Sequence, residues 1–488
     1  MFRSFLSRHL LLAAACTLLL SSCASTEGLT SQSHPGDAAA LSASAALGKV
    51  EVSDIAWPDE HWWTTFGDPQ LDALIDEALV ASPAIDAADA RTRKALAQSG
   101  LADAMRQPSL GAGAQVLGLQ IPETLAGEEL GGNFSIANLL TLNLKYNPDL
   151  WGVDESKWQA AVGNARASEV DAQAARLTLA ANIARTYVAL AQAFDARDAA
   201  AAETARADAL IALNQQRIKA GLDNTIALNQ NRSTSASAKQ QVQAAQQQID
   251  ALRNALAALA GAGPDRGLQI DRPRLATPGI SVPSLLSSDL LARRADIVAA
   301  RWRVEAAAHG MDASKAAFYP TINLSMMVGL AAGNLGDLFG RNALLINGGP
   351  GLTLPIFEGG RLRNQLMASN ADYDLAVASY NQSLLGAIHE VTDAVQSARA
   401  LDAQIATTRL ARDTAAKAQQ LVQQRYRAGL ATQLDVLAAQ RPLLQLDQQL
   451  AALIGKRRTA AIDLDQALGG GITARQTAVT AVSPITSN

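Results

Sequence analysis

Strict alternation of apolar and polar residues is confined to a few short windows of the chain. In NLLTLNLKYN (138–147), Leu140, Leu142, Leu144 and Tyr146 fall on one face, and Thr141, Asn143, Lys145 and Asn147 on the other. TINLSMMVGL (321–330) sets Ile322, Leu324, Met326, Val328 and Leu330 against Thr321, Asn323, Ser325 and Gly329. GLTLPIF (351–357) repeats the idea with Leu352, Leu354 and Ile356 against Thr353, while GAGAQVLGLQI (111–121) is weaker and rich in small residues. Period two of this kind predicts strands over about 110–121, 138–147, 320–331 and 344–356. An apolar face backed by a hydroxyl and amide face suits a membrane barrel wall around a wet interior. It also suits a half-buried sheet in a water-soluble domain.

The rest of the chain follows a helical period. Residues 155–220 and 361–428 contain no proline, and a helix of that length reaches roughly 100 Å at 1.5 Å per residue. Leu177, Ala184 and Ala191 form one heptad line and Ala180, Tyr187 and Phe194 another; Ile388, Val391, Val395, Ala398 and Ile405 form a comparable stripe. Such repeats argue for coiled-coil packing. The predicted long helices cover about 153–220, 224–261, 360–428 and 432–468, with Pro442 expected to bend the last.

The pattern occurs twice. QQRIKAGL (215–222) returns as QQRYRAGL (423–430), 208 residues on, and the register holds to Gly261 and Gly469. Ile85–Pro108 aligns with Ile297–Pro320, pairing Arg91 with Arg303 and Ala88 with Ala300. Each half reads as a short helix, a helix ending near a proline, two strands, a long helix, a turn and a second long helix. A duplicated unit of this size is a doubled domain rather than a solenoid array. The repeated octet has its own logic. Arg217 and Lys219, or Arg425 and Arg427, suit the negative end of a helix dipole. Gly221 and Gly429 offer the left-handed conformation, and Leu222 and Leu430 the apolar contact, of a Schellman end. Asn224 or Thr432 can then cap the next helix. Each octet is a hairpin turn.

Composition and the chain start narrow the function. Arg3 and Arg8 precede an apolar run, Leu10–Leu20, too short to span a bilayer and read as an export signal. It closes on Leu20-Ser21-Ser22-Cys23, similar to a bacterial lipobox, in which the cysteine is lipidated and becomes the new N-terminus; the alternative is a chance cysteine behind an ordinary signal. Ala24 in the next position then implies sorting to the outer membrane. Cleavage leaves Cys23 as the sole cysteine, which excludes a disulfide or cysteine-based metal site. A net charge of -4 over 488 residues gives no sign of nucleic-acid binding. Aromatics are only 4%, and abundant alanine suits helices packed closely side by side.

The expected organisation is a signal over 1–22, a lipid-anchored linker over 23–56, repeats over 57–270 and 271–470, and a flexible tail over 471–488. No catalytic constellation is visible. His34, His61, His309 and His389 lack ligand spacing, and no metal or cofactor is expected. Gly261-Ala262-Gly263 with Gly267 misses the dinucleotide spacing and follows a helix, so it reads as linker. Arg293-Arg294, expected inside an apolar helix, reads as packing or a subunit contact.

Four strands cannot close a barrel, and open edges in hydrocarbon leave costly unpaired backbone groups. If the strands span a membrane, several copies must share one barrel. The segments 121–138 and 331–344 would then lie at the outer surface.

WWTTFGDPQLDALIDEAL (62–79), YNPDLWG (146–152), ARRADIVAARWRVEAA (292–307) and LPIFEGGRL (354–362) together resemble the TolC-like outer-membrane factor family and its efflux lipoprotein branch. Ala295 stands where that branch usually has proline. The resemblance implies a mainly α protein with a membrane β portion: a homotrimer whose twelve-stranded barrel continues into an α-helical tunnel. It implies a passive efflux duct, not an enzyme, with a periplasmic adaptor, an inner-membrane RND-type pump and outer-membrane lipid as partners. Thr141, Asn143, Lys145, Thr321, Asn323 and Ser325 become lumen candidates. The resemblance makes Tyr426 and Asp435 candidates for a periplasmic gate, with Ala431 and Ala438 where relatives carry charge, and Ala227 at the first-half position corresponding to Asp435. The plainer reading makes Asp435 a helix-capping acid behind Thr432 and Tyr426 a cover for the last turn. A protein-secretion duct and a lipid-anchored coiled-coil scaffold are the competing functions, and the amphipathic strands argue against the scaffold.

Overall fold

A computed structural model of the chain describes residues 26, 28–37, 57–120, 122, 124, 132, 134–279 and 293–471. Two compact units emerge. One holds residues up to 35 with 92–168 and 300–380; the other holds 36–91, 169–299 and 381–488. In chain order the elements are a 3-10 turn (Trp62–Phe66), α1 (Pro69–Ala81), α2 (Pro83–Ala104), β1 (Ser109–Gln120), β2 (Phe134–Tyr146), α3 (Val153–Lys219) and α4 (Thr225–Leu259). A short α5 (Pro264–Leu268) leads to α6 (Ala295–Ala316), β3 (Thr321–Ala332), β4 (Leu344–Thr353), α7 (Arg361–Arg427) and α8 (Gln433–Ala467). The long helices begin and end within a residue or two of the positions the sequence pattern gives.

The first unit carries one antiparallel sheet in the order β1-β2-β3-β4. Two strand ends differ from the alternation. β2 begins at Phe134, because the sheet recruits FSIA ahead of the clear period. β4 stops at Thr353, since Pro355 has no N–H to donate to a ladder. Leu354 and Ile356 therefore lie beyond the strand. β1 and β4 are the outer strands among the described residues.

The second unit is held by an aromatic and alanine core. Trp62, Phe66, Leu71, Leu74 and Ile75 pack with Ile183, Tyr187, Leu190 and Phe194 of α3 and with Ile249 and Leu256 of α4. Pro69 opens α1, and Asp68 caps it by accepting the Gln70 N–H at 3.1 Å. The same carboxylate accepts the Tyr187 hydroxyl at 2.9 Å and the Arg274 N–H at 2.7 Å, tying three distant segments to one acid. Burial pushes the Tyr187 hydroxyl well above the usual phenol range. Ala181, Ala184 and Ala398 have no exposed surface, as close helix packing requires.

α8 runs unbroken through Pro442, a residue that costs about 3 kcal/mol inside a helix. In the preceding turns Val436 and Leu437 are buried, and the Arg206 guanidinium donates to the Leu437 carbonyl at 3.4 Å. The Arg293-Arg294 pair precedes α6 rather than lying inside it. Arg294 is buried and bridges Asp296, Glu390 and the Ala467 carbonyl, while Arg293 stacks over Trp57 at 4.6 Å. Gly261-Ala262-Gly263 is a helix end and the start of α5, with no phosphate loop.

Candidate functional site

The register of the sheet assigns its side chains to two faces. Thr141 sits opposite Gly113 and Gly329, Asn143 opposite Gly111 and Met327, and Lys145 opposite Ser109 and Ser325. Thr321 pairs with Thr353 and Asn323 with Gly351. Directly opposed residues share a face, so Thr141, Asn143, Lys145, Thr321, Asn323 and Ser325 all lie on one side. The opposite face collects Leu110, Val116, Ile136, Leu140, Leu142, Leu144, Leu324, Met326, Leu344, Ile346 and Leu352, all substantially exposed. Such an area of bare apolar side chains has no place in water.

The polar face is locally organised. Thr141 is buried, its hydroxyl directed at the Gly113 carbonyl at 3.4 Å, and Asn143 donates to the Thr141 oxygen at 3.2 Å. Sequence alternation missed the part played by β1, whose Gly111, Gly113 and Gln115 complete this face; glycine carries no polarity signal. Leu117, Leu139, Met327 and Leu345 interrupt it, and Asn138 is an amide on the apolar side, donating to the Ala332 and Gly333 carbonyls.

At one end of the sheet the flanking residues are aromatic and exposed. Trp151 follows β2 and stacks on Tyr319, which precedes β3, with centroids 4.9 Å apart. Its indole N–H donates to the Pro320 carbonyl at 2.6 Å. Phe357 follows β4 and is 90% exposed. Asp149 accepts the Val153 and Glu155 N–H groups, both at 2.7 Å, and so starts α3 directly after this corner. Aromatic rings at a strand end mark a lipid–water boundary in membrane barrels.

The hairpin turns lie in the second unit. Gly221 and Gly429 have φ of +71° and +72°, which an L side chain adopts only with strain. Leu222 N–H donates to the Arg217 carbonyl and Leu430 N–H to the Arg425 carbonyl, each at 2.8 Å. Gly221 and Gly429 donate to Ile218 and Tyr426, each at 3.0 Å, completing two Schellman ends. The expected apolar contact is the part that fails. Leu222 and Leu430 are 68% and 69% exposed. Tyr426 is 40% exposed.

Beyond the shared backbone the turns diverge. In the first, Arg217 pairs with Asp223 at 3.1 Å and Asn224 caps α4. In the second, Thr432 and Asp435 form a reciprocal capping box: the Asp435 N–H donates to the Thr432 hydroxyl oxygen, and the Thr432 N–H and hydroxyl donate back to the carboxylate at 2.8 and 2.7 Å. Those Thr432 donors, with Arg425 nearby, hold the Asp435 carboxyl below the usual carboxylate range. It is ionised at neutral pH, exposed, and fixed in direction.

Two features escaped the sequence. Arg457 and Arg458 reach the carbonyls of Pro278, Ala276 and Leu275, some 180 residues away, and Arg457 also pairs with Asp402. Asp465, partly buried in the last turn of α8, is pushed up to about 7 by desolvation. Cys23 lies outside the described residues, as does most of 121–133. No cluster of three metal-ligating side chains occurs among the described residues. No described helix is long and apolar enough to cross a membrane.

Comparison with known proteins adds independent findings. The model of the outer membrane efflux protein family matches residues 74–262 and 286–470. The chain is 37% identical over 364 residues to the fusaric acid resistance protein FusA of Burkholderia cepacia, covering 73% of this chain and 68% of that one. It is 30% identical over 438 residues to the multidrug resistance outer membrane protein MdtP of Escherichia coli K12, covering 86% and 88%. The crystal structure of the outer membrane protein VceC from Vibrio cholerae superposes with a TM-score of 0.78 at 36% identity, over 85% of this chain and all of that one.

Proposed function

The chain belongs to the outer membrane efflux protein family, and from that premise we propose that it is the passive outer-membrane duct of a three-part efflux assembly, built as a homotrimer. Family and fold are those of channel proteins rather than enzymes. The observation that supports the trimer is the sheet: four strands, one apolar face, one polar face, and two outer strands with no further strand beside them among the described residues. Left open in lipid, those edges would strand backbone groups at several kcal/mol each. Three copies joined β4 to β1 give twelve strands, with Thr141, Asn143, Lys145, Thr321, Asn323 and Ser325 lining a wet bore.

The hairpins around Gly221 and Gly429 are the entrance from the periplasm in this reading. Their exposed Leu222, Leu430 and Tyr426 offer apolar anchors to a periplasmic adaptor, which links the duct to an inner-membrane pump of the RND type. Cargo passes as small molecules such as drugs. Asp435 serves twice, as helix cap and as one carboxylate of a ring that attracts cations, with Tyr426 narrowing the same opening. Cys23 carries the acyl chains that hold the mature N-terminus in the outer membrane.

The test is a mass measurement in detergent joined to planar-bilayer conductance on the acylated full chain. A trimer mass and a steady ionic current are expected. A monomer that passes no current overturns the reading. Asp435→Ala should lower the block by divalent cations; an unchanged block leaves Asp435 a cap alone.

A further inference from the structure

The apolar face of the sheet is not smooth. Between β3 and β4 a groove of about 320 Å³ opens, lined by Leu144, Leu324, Met326, Ile346, Gly348 and Pro350. Its floor is forced: at φ +155° a Cβ on Gly348 would start 2.4 Å from the Ser325 carbonyl oxygen, so only glycine fits there. Pro350, paired with Leu324, keeps the next outward position shallow. Large neighbours around a glycine and a proline leave an open apolar groove on this face.

The first described residues of the chain lie near the base of β3. Leu29 packs against Phe318, Leu362 and Leu366, next to the base of β3 and the start of α7. Gln32 and Ser33 then donate consecutive backbone N–H groups to the Asp374 carboxylate at 2.9 and 2.8 Å. Read backwards, from Asp374 to Leu362, the segment therefore heads towards the strands. Cys23 is six residues before Leu29, within roughly 20 Å of extended chain. The Leu324–Pro350 rung lies three residues above the Thr321–Thr353 rung at the sheet base, about 10 Å up the strands.

We propose that this groove binds an acyl chain of the protein's own N-terminal lipid, so that the anchor is seated on its own protomer rather than dispersed in the bilayer. The inference rests on Cys23 being lipidated, as the proposed function holds. Asp374 and Leu29 act as the clamp that points the anchor, and Gly348 and Pro350 supply the seat.

The test uses the full chain in cells, with Ile346→p-benzoylphenylalanine at the groove rim, Leu324→p-benzoylphenylalanine as a second probe, and Val116→p-benzoylphenylalanine on the same face of β1 as reference. After irradiation and trypsin digestion, the Ile346 probe should join its peptide (342–361) to the acylated peptide 23–49. The yield should exceed that of the Val116 probe about tenfold, as a preference of 1.4 kcal/mol gives. Leu324 should behave likewise. Cross-links from both rim probes only to phospholipid or lipopolysaccharide overturn the proposal, as do cross-links only to residues 109–120 of a neighbouring copy. A peptide 23–49 without lipid mass overturns the lipoprotein reading itself, and the mass reports that separately.

Discussion

The two ends of α8 carry the same residue type under opposite physics. At its start Asp435 is exposed and held by the Thr432 N–H and hydroxyl, and its carboxyl is pulled down. At its end Asp465 is partly buried in the last turn of the helix, and desolvation pushes its carboxyl up to about 7. The helix dipole reinforces the contrast, since it favours negative charge at the N-terminus and opposes it at the C-terminus. An aspartate near a glycine turn therefore has no fixed meaning. Its role is set by what desolvates it and what donates to it.

The largest effect should come from Asp465. Its raised value means that the folded state keeps a proton the unfolded state has released, so stability is full below the ordinary carboxylate value and falls as pH rises from about 4 to about 7. Thermal unfolding in detergent should show that decline and then level off, and Asp465→Asn should flatten it. A curve unchanged by the substitution would remove the contrast. Next in size, Gly429→Val forces a branched residue into the left-handed region at about 1–2 kcal/mol. Amide exchange in residues 426–432 should quicken about tenfold or more, with the same result around Gly221 for Gly221→Val.

Thr432→Ala removes the cap at about 1 kcal/mol and should speed exchange in the first turn of α8 more than Asn224→Ala does in α4. The Asn224 N–H donates to the preceding Asp223 at 2.8 Å rather than to an acid within α4, and equal losses would show that the box adds nothing. The smallest effect concerns Asp435 itself. Because its carboxyl is lowered, its support for the helix start is present above the ordinary carboxylate range and lost as pH falls below about 4. Asp435→Asn should abolish that acid-induced fraying at the α8 start, seen by amide exchange, while leaving the Asp465 decline intact.

Much of this molecule could be read from its letters, for identifiable reasons. Helix ends announce themselves through glycine and basic residues, so Gly221 and Gly429 mark turns the structure builds to within a few degrees of each other. Strand faces were legible where both sides carry side chains, as at Leu140 to Lys145, and illegible in β1, where glycine replaces the polar half. The segment around Leu29 to Ser33 gave no signal because, beside the single apolar contact of Leu29, its hold is made by backbone N–H groups, which every residue has. Arg457 and Arg458 stayed hidden for a related reason: their partners are carbonyls of residues far away in the chain. The exposed Leu222 and Leu430 show the opposite error, an apolar residue assigned to a contact that local pattern alone could not guarantee.

The unpaired margins of β1 and β4 carry a genetic consequence. If each wall is pooled from several copies, a chain with a spoiled margin does not fail privately; it joins sound copies and leaks or stalls the whole ring. A minority of such chains would disable a disproportionate share of ducts, so lesions at Gly113 or Pro350 should behave as dominant in a cell that also makes the intact protein.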